Sequence, residues 1–149
     1  MHYYFAFGSC MHQADIARTV EAETIGPAVL DGYRLAFTKY AASREGGVAD
    51  IVEASGDFVE GMVFAVPDFI ELDKREGAPN LYVRTAVNVS LLATDEELTA
   101  ATYMIKDKEP VELAPSAYYA GLITEGAEQL SSTYQTKLQS ILQQSRKRL

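Results

Sequence analysis

The sequence predicts an α+β fold on three observations. Segments with strand-type alternation crowd the chain from residue 2 to residue 105, and two helix signatures fill its end. The composition is that of one packed core, 48% apolar or aromatic against 23% charged over 149 residues. No internal repeat or low-complexity linker interrupts it, so a single domain over 1–149 is expected.

Taken in order, residues 2–7 read as a strand buried on both faces, because aromatic residues follow one another there without polar alternation. The run stops at Gly8-Ser9-Cys10, and a short helix carrying Ile16, Ala17 and Val20 follows. Residues 28–38, 47–53, 57–66, 81–92 and 98–105 alternate as strands, each set apart by Gly, Pro, Asp or Asn. Ser55-Gly56-Asp57 is expected to turn a hairpin, with Gly56 supplying a positive φ. Residues 39–47, KYAASREGG, read as a loop. A helix begins at Pro67 and ends before Gly77, which suits a left-handed cap. Another runs from Pro115-Ser116 to about Leu130. The last follows the Ser131-Ser132 cap, with Tyr134, Leu138, Ile141 and Leu142 forming one apolar stripe.

Charge and cysteine usage narrow the function. A net charge of -8 argues against nucleic acid as a partner, since that affinity depends on clustered Lys and Arg. The lone Cys10 excludes an intrachain disulfide, and no Cys and His cluster has metal-ligand spacing, so no metal is expected. With no signal-type segment and no apolar run long enough to span a bilayer, a cytoplasmic protein without a membrane partner is expected. The oligomeric state is open, a homodimer included.

Chemistry is suggested by VPDFIELDKREG. Phe69, Leu72, Asp73 and Glu76 share one helix face, which puts a carboxylate on the core-facing stripe in the last helical turn. Desolvation and the helix dipole both raise its pKa there, as a proton carrier near neutral pH requires. The alternative is that Glu76 swings out into water or pairs with Arg75 or Arg84. A further reading makes Cys10 a nucleophile with His12 as its base, although residues two apart do not share a helix face.

Three segments in order resemble the γ-glutamylcyclotransferase family. YFAFGSCM is similar to the family's YFAYGSNL or YFAYGSNM signature. GDFVEGMVFAVPDFIELDKREGAPNLYVRTAVNV resembles its G-V-x-G-V-V strand, LDxxEG helix end and following Tyr, and PSAYYAGLITEGAEQL its PSxxY segment ahead of the last helix. The resemblance implies a small mixed β-barrel surrounded by helices, and release of 5-oxoproline from a γ-glutamyl amine, amino acid or modified metabolite without a cofactor. It implies Glu76 as acid and base, with Phe7, Gly8, Ser9, Cys10, Met11, Tyr82 and Tyr119 around the substrate. Two positions depart from the pattern: Cys10 stands where the family has Asn, and Phe7 where it has Tyr. The first keeps open a non-catalytic small-metabolite binding module of the same fold. Lys39, Arg44 and Glu45 are candidates to recognise what is attached to the glutamyl group, and the acidic balance of the chain slightly favours a cationic or amine-bearing leaving group.

Overall fold

A computed structural model describes residues 2–148. Strand β1 (His2–Ala6) leads through a 3-10 turn (Ser9–Met11) to α1 (Gln13–Ile16), followed by β2 (Glu23–Ala41), β3 (Gly46–Val66), α2 (Ile70–Glu76), β4 (Tyr82–Leu91), β5 (Glu97–Ile105), α3 (Ala117–Gly126) and α4 (Ser132–Arg146). The strands close a barrel in the order β1-β3-β2-β4-β5. All neighbours are antiparallel except β1 and β5, which meet in parallel. The α+β class and the small mixed barrel expected above are therefore what the chain forms.

Two expectations about the strands are corrected. The hairpin at Ser55-Gly56-Asp57 does not exist: 46–66 is one strand, paired with β2 along its length. Asp31 faces Phe58 and Tyr33 faces Glu53, so Ala54–Asp57 bulge out opposite Gly32 alone. Gly56 has the expected positive φ, 80°. A left-handed glycine serves a bulge as well as a turn, and only the pairing partner tells them apart. The chain reverses instead inside the stretch read as a loop. The 3-10 turn Ala42–Arg44 and left-handed Glu45 (φ 56°) join β2 to β3.

The helices begin and end close to their sequence signals. Ser116 and Ser131 each accept a hydrogen bond from the amide three residues on, at 3.1 Å, as N-caps do. Gly77 closes α2 with φ 67°. That helix starts at Ile70, later than Pro67, because the Asp68 carboxylate accepts the Ile70 N–H at 3.0 Å and holds the chain in a local turn first. The segment expected to be helical up to Leu130 leaves α3 at Gly126 and ends in a 3-10 turn (Ala127–Gln129).

Along α4, Tyr134, Leu138 and Leu142 are buried, and full burial of such side chains is worth roughly 1.5–3 kcal/mol each. On the barrel strands Phe5, Phe37, Ile51, Val59, Met62 and Phe64 are fully buried. Between β5 and α3 the chain runs back over the barrel end as a strap. The Glu109 and Leu113 amides donate to the carbonyls of Thr38 and Phe37 at 2.7 and 2.8 Å, and the Gly47 amide donates to the Ala114 carbonyl at 2.9 Å. This fixes where α3 begins, and so where Tyr119 in its first turn points.

Candidate active site

β1 carries the chain into the barrel rim and ends before Gly8. There the backbone passes so close to β3 that a side chain at Gly8 would stand 3.2 Å from the Ala49 Cβ and 3.7 Å from the Tyr119 hydroxyl. A Cβ there would require Ala49 to give by a few tenths of an ångström, which favours glycine where the aromatic run ends. The rim encloses a cavity of about 40 Å³ lined by Phe7, Gly8, Ser9, Cys10, Glu76, Tyr82 and Tyr119, together with Tyr4, Ala49 and Tyr103. Seven of the eight residues expected at the site thus come together. Met11 does not line it: its side chain is fully buried, and its carbonyl accepts from Gln129 Nε2 at 3.3 Å, anchoring the loop.

The two expected tyrosines are set by one residue between them. Tyr82 donates its hydroxyl proton to the Ala49 carbonyl at 2.9 Å, and the Ala49 amide donates to the Tyr119 oxygen at 3.1 Å. Burial raises the pKa of both phenols, that of Tyr119 to about 12, so they stay protonated at neutral pH. Because the Tyr119 oxygen accepts from Ala49, its own O–H proton is left to point elsewhere.

Glu76 reaches the cavity from the last residue of α2. Neither basic candidate neutralises it. Arg75 is paired with Asp15 at 2.7 Å and also donates to Thr19 at 2.9 Å, and Arg84 is paired with Asp73 at 3.0 Å. Among the described residues no cation lies within ion-pair distance of Glu76; its one side-chain hydrogen bond comes from the Cys10 thiol, at 3.8 Å. Burial lifts the Glu76 carboxyl above its ordinary range, and Arg75, the Cys10 thiol and Arg44 pull it back only in part. Asp73, on the same helix face, is instead consumed: it accepts the Tyr103 hydroxyl at 2.6 Å beside its pair with Arg84.

The arrangement disfavours a cysteine nucleophile. Burial, reinforced by the negative charge of Glu76, pushes the Cys10 thiol up to about 12, far from a reactive thiolate at neutral pH. His12 is exposed, and its Nδ1 accepts the Ala14 amide at 3.2 Å as the cap of α1. Tyr4, Ala49 and Tyr103 were missed in the sequence. Tyr4 lay within the aromatic run as one of several equivalent candidates, and Tyr103 meets it edge-on at 5.8 Å only because β1 and β5 close the barrel. Among the described residues no three His, Cys, Asp or Glu are grouped to hold a metal ion, and no helix is long and apolar enough to cross a membrane.

Residues 4–121 match the model of a family described as gamma-glutamyl cyclotransferase, AIG2-like. A Bos taurus protein named gamma-glutamylcyclotransferase is 34% identical over 148 residues, covering 93% of this chain and 77% of its own. YkqA of Bacillus subtilis is 34% identical over 143 residues, 91% of this chain; the chain spans only 50% of that protein. A solved structure titled gamma-glutamyl cyclotransferase is 29% identical with a TM-score of 0.85, covering 93% of this chain and 86% of the other.

Proposed function

The chain belongs to the gamma-glutamyl cyclotransferase, AIG2-like family, and from that premise we propose that it releases 5-oxoproline from a small γ-glutamyl compound, with Glu76 as the proton carrier. The observation that carries the reading is a cavity carboxyl lifted by burial, with no cation within ion-pair distance among the described residues.

In this reaction the substrate's α-amine attacks its own γ-carbonyl. Nucleophile and electrophile already share a molecule, so folding the glutamyl chain into a near-attack shape supplies much of the rate; well-oriented intramolecular systems gain roughly 7–11 kcal/mol. Protons are the remaining task. The α-ammonium, unable to attack, first loses one proton to solvent; the neutral nitrogen closes the five-membered ring, and the second proton this nitrogen must shed goes to the Glu76 carboxylate. As the bond from the γ-carbon to the departing nitrogen breaks, its electron pair stays on that nitrogen, which takes the proton back from Glu76. A carboxyl lifted toward neutral pH suits both directions.

Gly8, Ser9 and Cys10, with Phe7 beside them, border the glutamyl part, and the small residues let backbone groups approach it. The Tyr119 O–H, its oxygen already held by Ala49, is available to a substrate oxygen. The test is a panel of γ-glutamyl amino acids, amines and peptides, assayed for 5-oxoproline with wild type and Glu76→Gln. Release by wild type and its near loss in the variant are expected. Ligand-induced thermal stabilisation without product across the panel would turn the reading into a binding module, and full activity of Glu76→Gln would remove the assigned role.

A further inference from the structure

Resting on the cyclotransferase reading, a second feature of the same wall bears on what the glutamyl group is attached to. Ser9, Glu76, Tyr82 and Tyr119 also line an adjoining outer cavity of about 190 Å³, whose far side includes Ser43 and Arg44. Glu76 therefore stands between two compartments. That suits a reaction cutting one molecule in two, with the cyclising part on the inner side and the departing amine on the outer.

Of the charged residues Lys39, Arg44 and Glu45 at the β2–β3 turn, only Arg44 lines either compartment. In a chain with 21 acidic and 13 basic residues, it has no ion-pair partner among the described residues. The other cation on this wall, Arg75, is held by Asp15 and Thr19. Arg44 is positioned by a cation–π contact: its guanidinium carbon lies 5.2 Å from the centre of the Tyr119 ring. Among the described residues the Arg44 guanidinium makes no side-chain hydrogen bond or ion pair, so its planar fork of N–H donors is available to meet a carboxylate with two hydrogen bonds.

We propose that Arg44 is the specificity-determining residue of the site, and that the outer cavity takes a leaving group bearing a carboxylate, such as an amino acid or short peptide, in preference to a simple amine. The net charge of -8 points the other way. That charge is a property of the whole surface, whereas the leaving group meets a wall on which the cation without an acidic partner is Arg44.

The matched substrates are γ-glutamyl-alanine and γ-glutamyl-ethylamine, which differ only in the carboxylate. Wild type is expected to favour the first by about 10-fold or more in kcat/KM, mainly through KM, as a charge-assisted bidentate contact implies. Arg44→Gln is expected to collapse that ratio toward unity, and Arg44→Lys, with a point charge and no fork, to fall between. Any change that Arg44→Gln imposes on Glu76 acts on both substrates and cancels in the ratio. Equal use of the two by wild type, preference for the amine, or an unchanged ratio in Arg44→Gln would overturn the proposal. If neither compound yields 5-oxoproline, the cyclotransferase reading is decided by the wider panel, and the role of Arg44 is read from thermal stabilisation by the same pair. A larger shift with the carboxylate compound, lost in Arg44→Gln, supports it; equal shifts or none contradict it.

Discussion

Asp50 and Glu76 are two acids near the same rim, and they live in opposite circumstances. Asp50 is fully buried and answered on every side: it accepts from the Thr38 hydroxyl at 2.7 Å and the Ile105 amide at 3.0 Å, and pairs with Lys108 at 2.8 Å. Glu76 keeps a window to the cavity and has a weak thiol donor where Asp50 has three strong ones. A buried carboxylate held by three donors has little left for a substrate; it ties β2, β3, β5 and the strap together beside Ala49. A carboxylate left short of partners is costly to the fold and open to proton exchange.

The largest expected effect sharpens the Glu76 side. Glu76→Gln keeps the shape and removes the titrating group, and a loss of about 10²–10⁴-fold in kcat is expected for a proton-transfer residue, measured as 5-oxoproline release by a variant shown to be folded. Asp50→Asn breaks the other side. It removes the charge that Lys108, itself exposed, pairs with, and sets an amide where the Thr38 hydroxyl and the Ile105 amide both donate, so a destabilisation of about 1–3 kcal/mol is expected in chemical denaturation; no loss of stability would mean that Asp50 is not the structural acid described.

The two acids also differ in what removing their charge does to stability. Burial raises the Glu76 carboxyl, so the folded state holds its proton more tightly than the unfolded state does. Stability from this group is therefore highest below the ordinary glutamate range and falls as pH rises through the raised value. Glu76→Gln is accordingly expected to melt higher than wild type at neutral pH, by about 2–4 °C if the cost is of order 1 kcal/mol. The gain should vanish on acidification, and a variant melting lower at every pH would contradict it. The smallest effect is expected from Cys10→Ser. A hydroxyl is a better donor than a thiol, so it favours ionised Glu76 and moves the acid limb of the pH–rate profile downward, with less than about 10-fold change in kcat.

What the sequence disclosed of this contrast was its local part. Helix periodicity placed Leu72, Asp73 and Glu76 on one face, and Gly77 marked where the helix stops; both are set by residues within two turns. The family likeness supplied Tyr82, Tyr119 and the 8–11 loop. Long-range pairing stayed hidden. Asp73 and Glu76 look equivalent along the chain, and it is Tyr103 and Arg84, from other strands, that consume the first and spare the second. Ala49, which holds both tyrosines, is an unremarkable residue in a strand and acquires its part from barrel register alone. Gly56 shows the same limit, since a turn and a bulge ask the same φ of a glycine and differ only in what lies opposite. Arg44 could be named as one of three charged candidates, but which of them faces the cavity depends on how the β2–β3 turn lies against α3.

The claim that Glu76 is kept short of partners and therefore protonates unusually easily is tested most directly by following its side-chain carboxyl through a carbon-13 NMR titration, assigned by comparison with Glu76→Gln. A midpoint clearly above the ordinary glutamate value of about 4.3 is predicted. A midpoint at or below that value would mean that Arg75, Arg44 or another donor satisfies Glu76 after all, and the account of the site would be wrong.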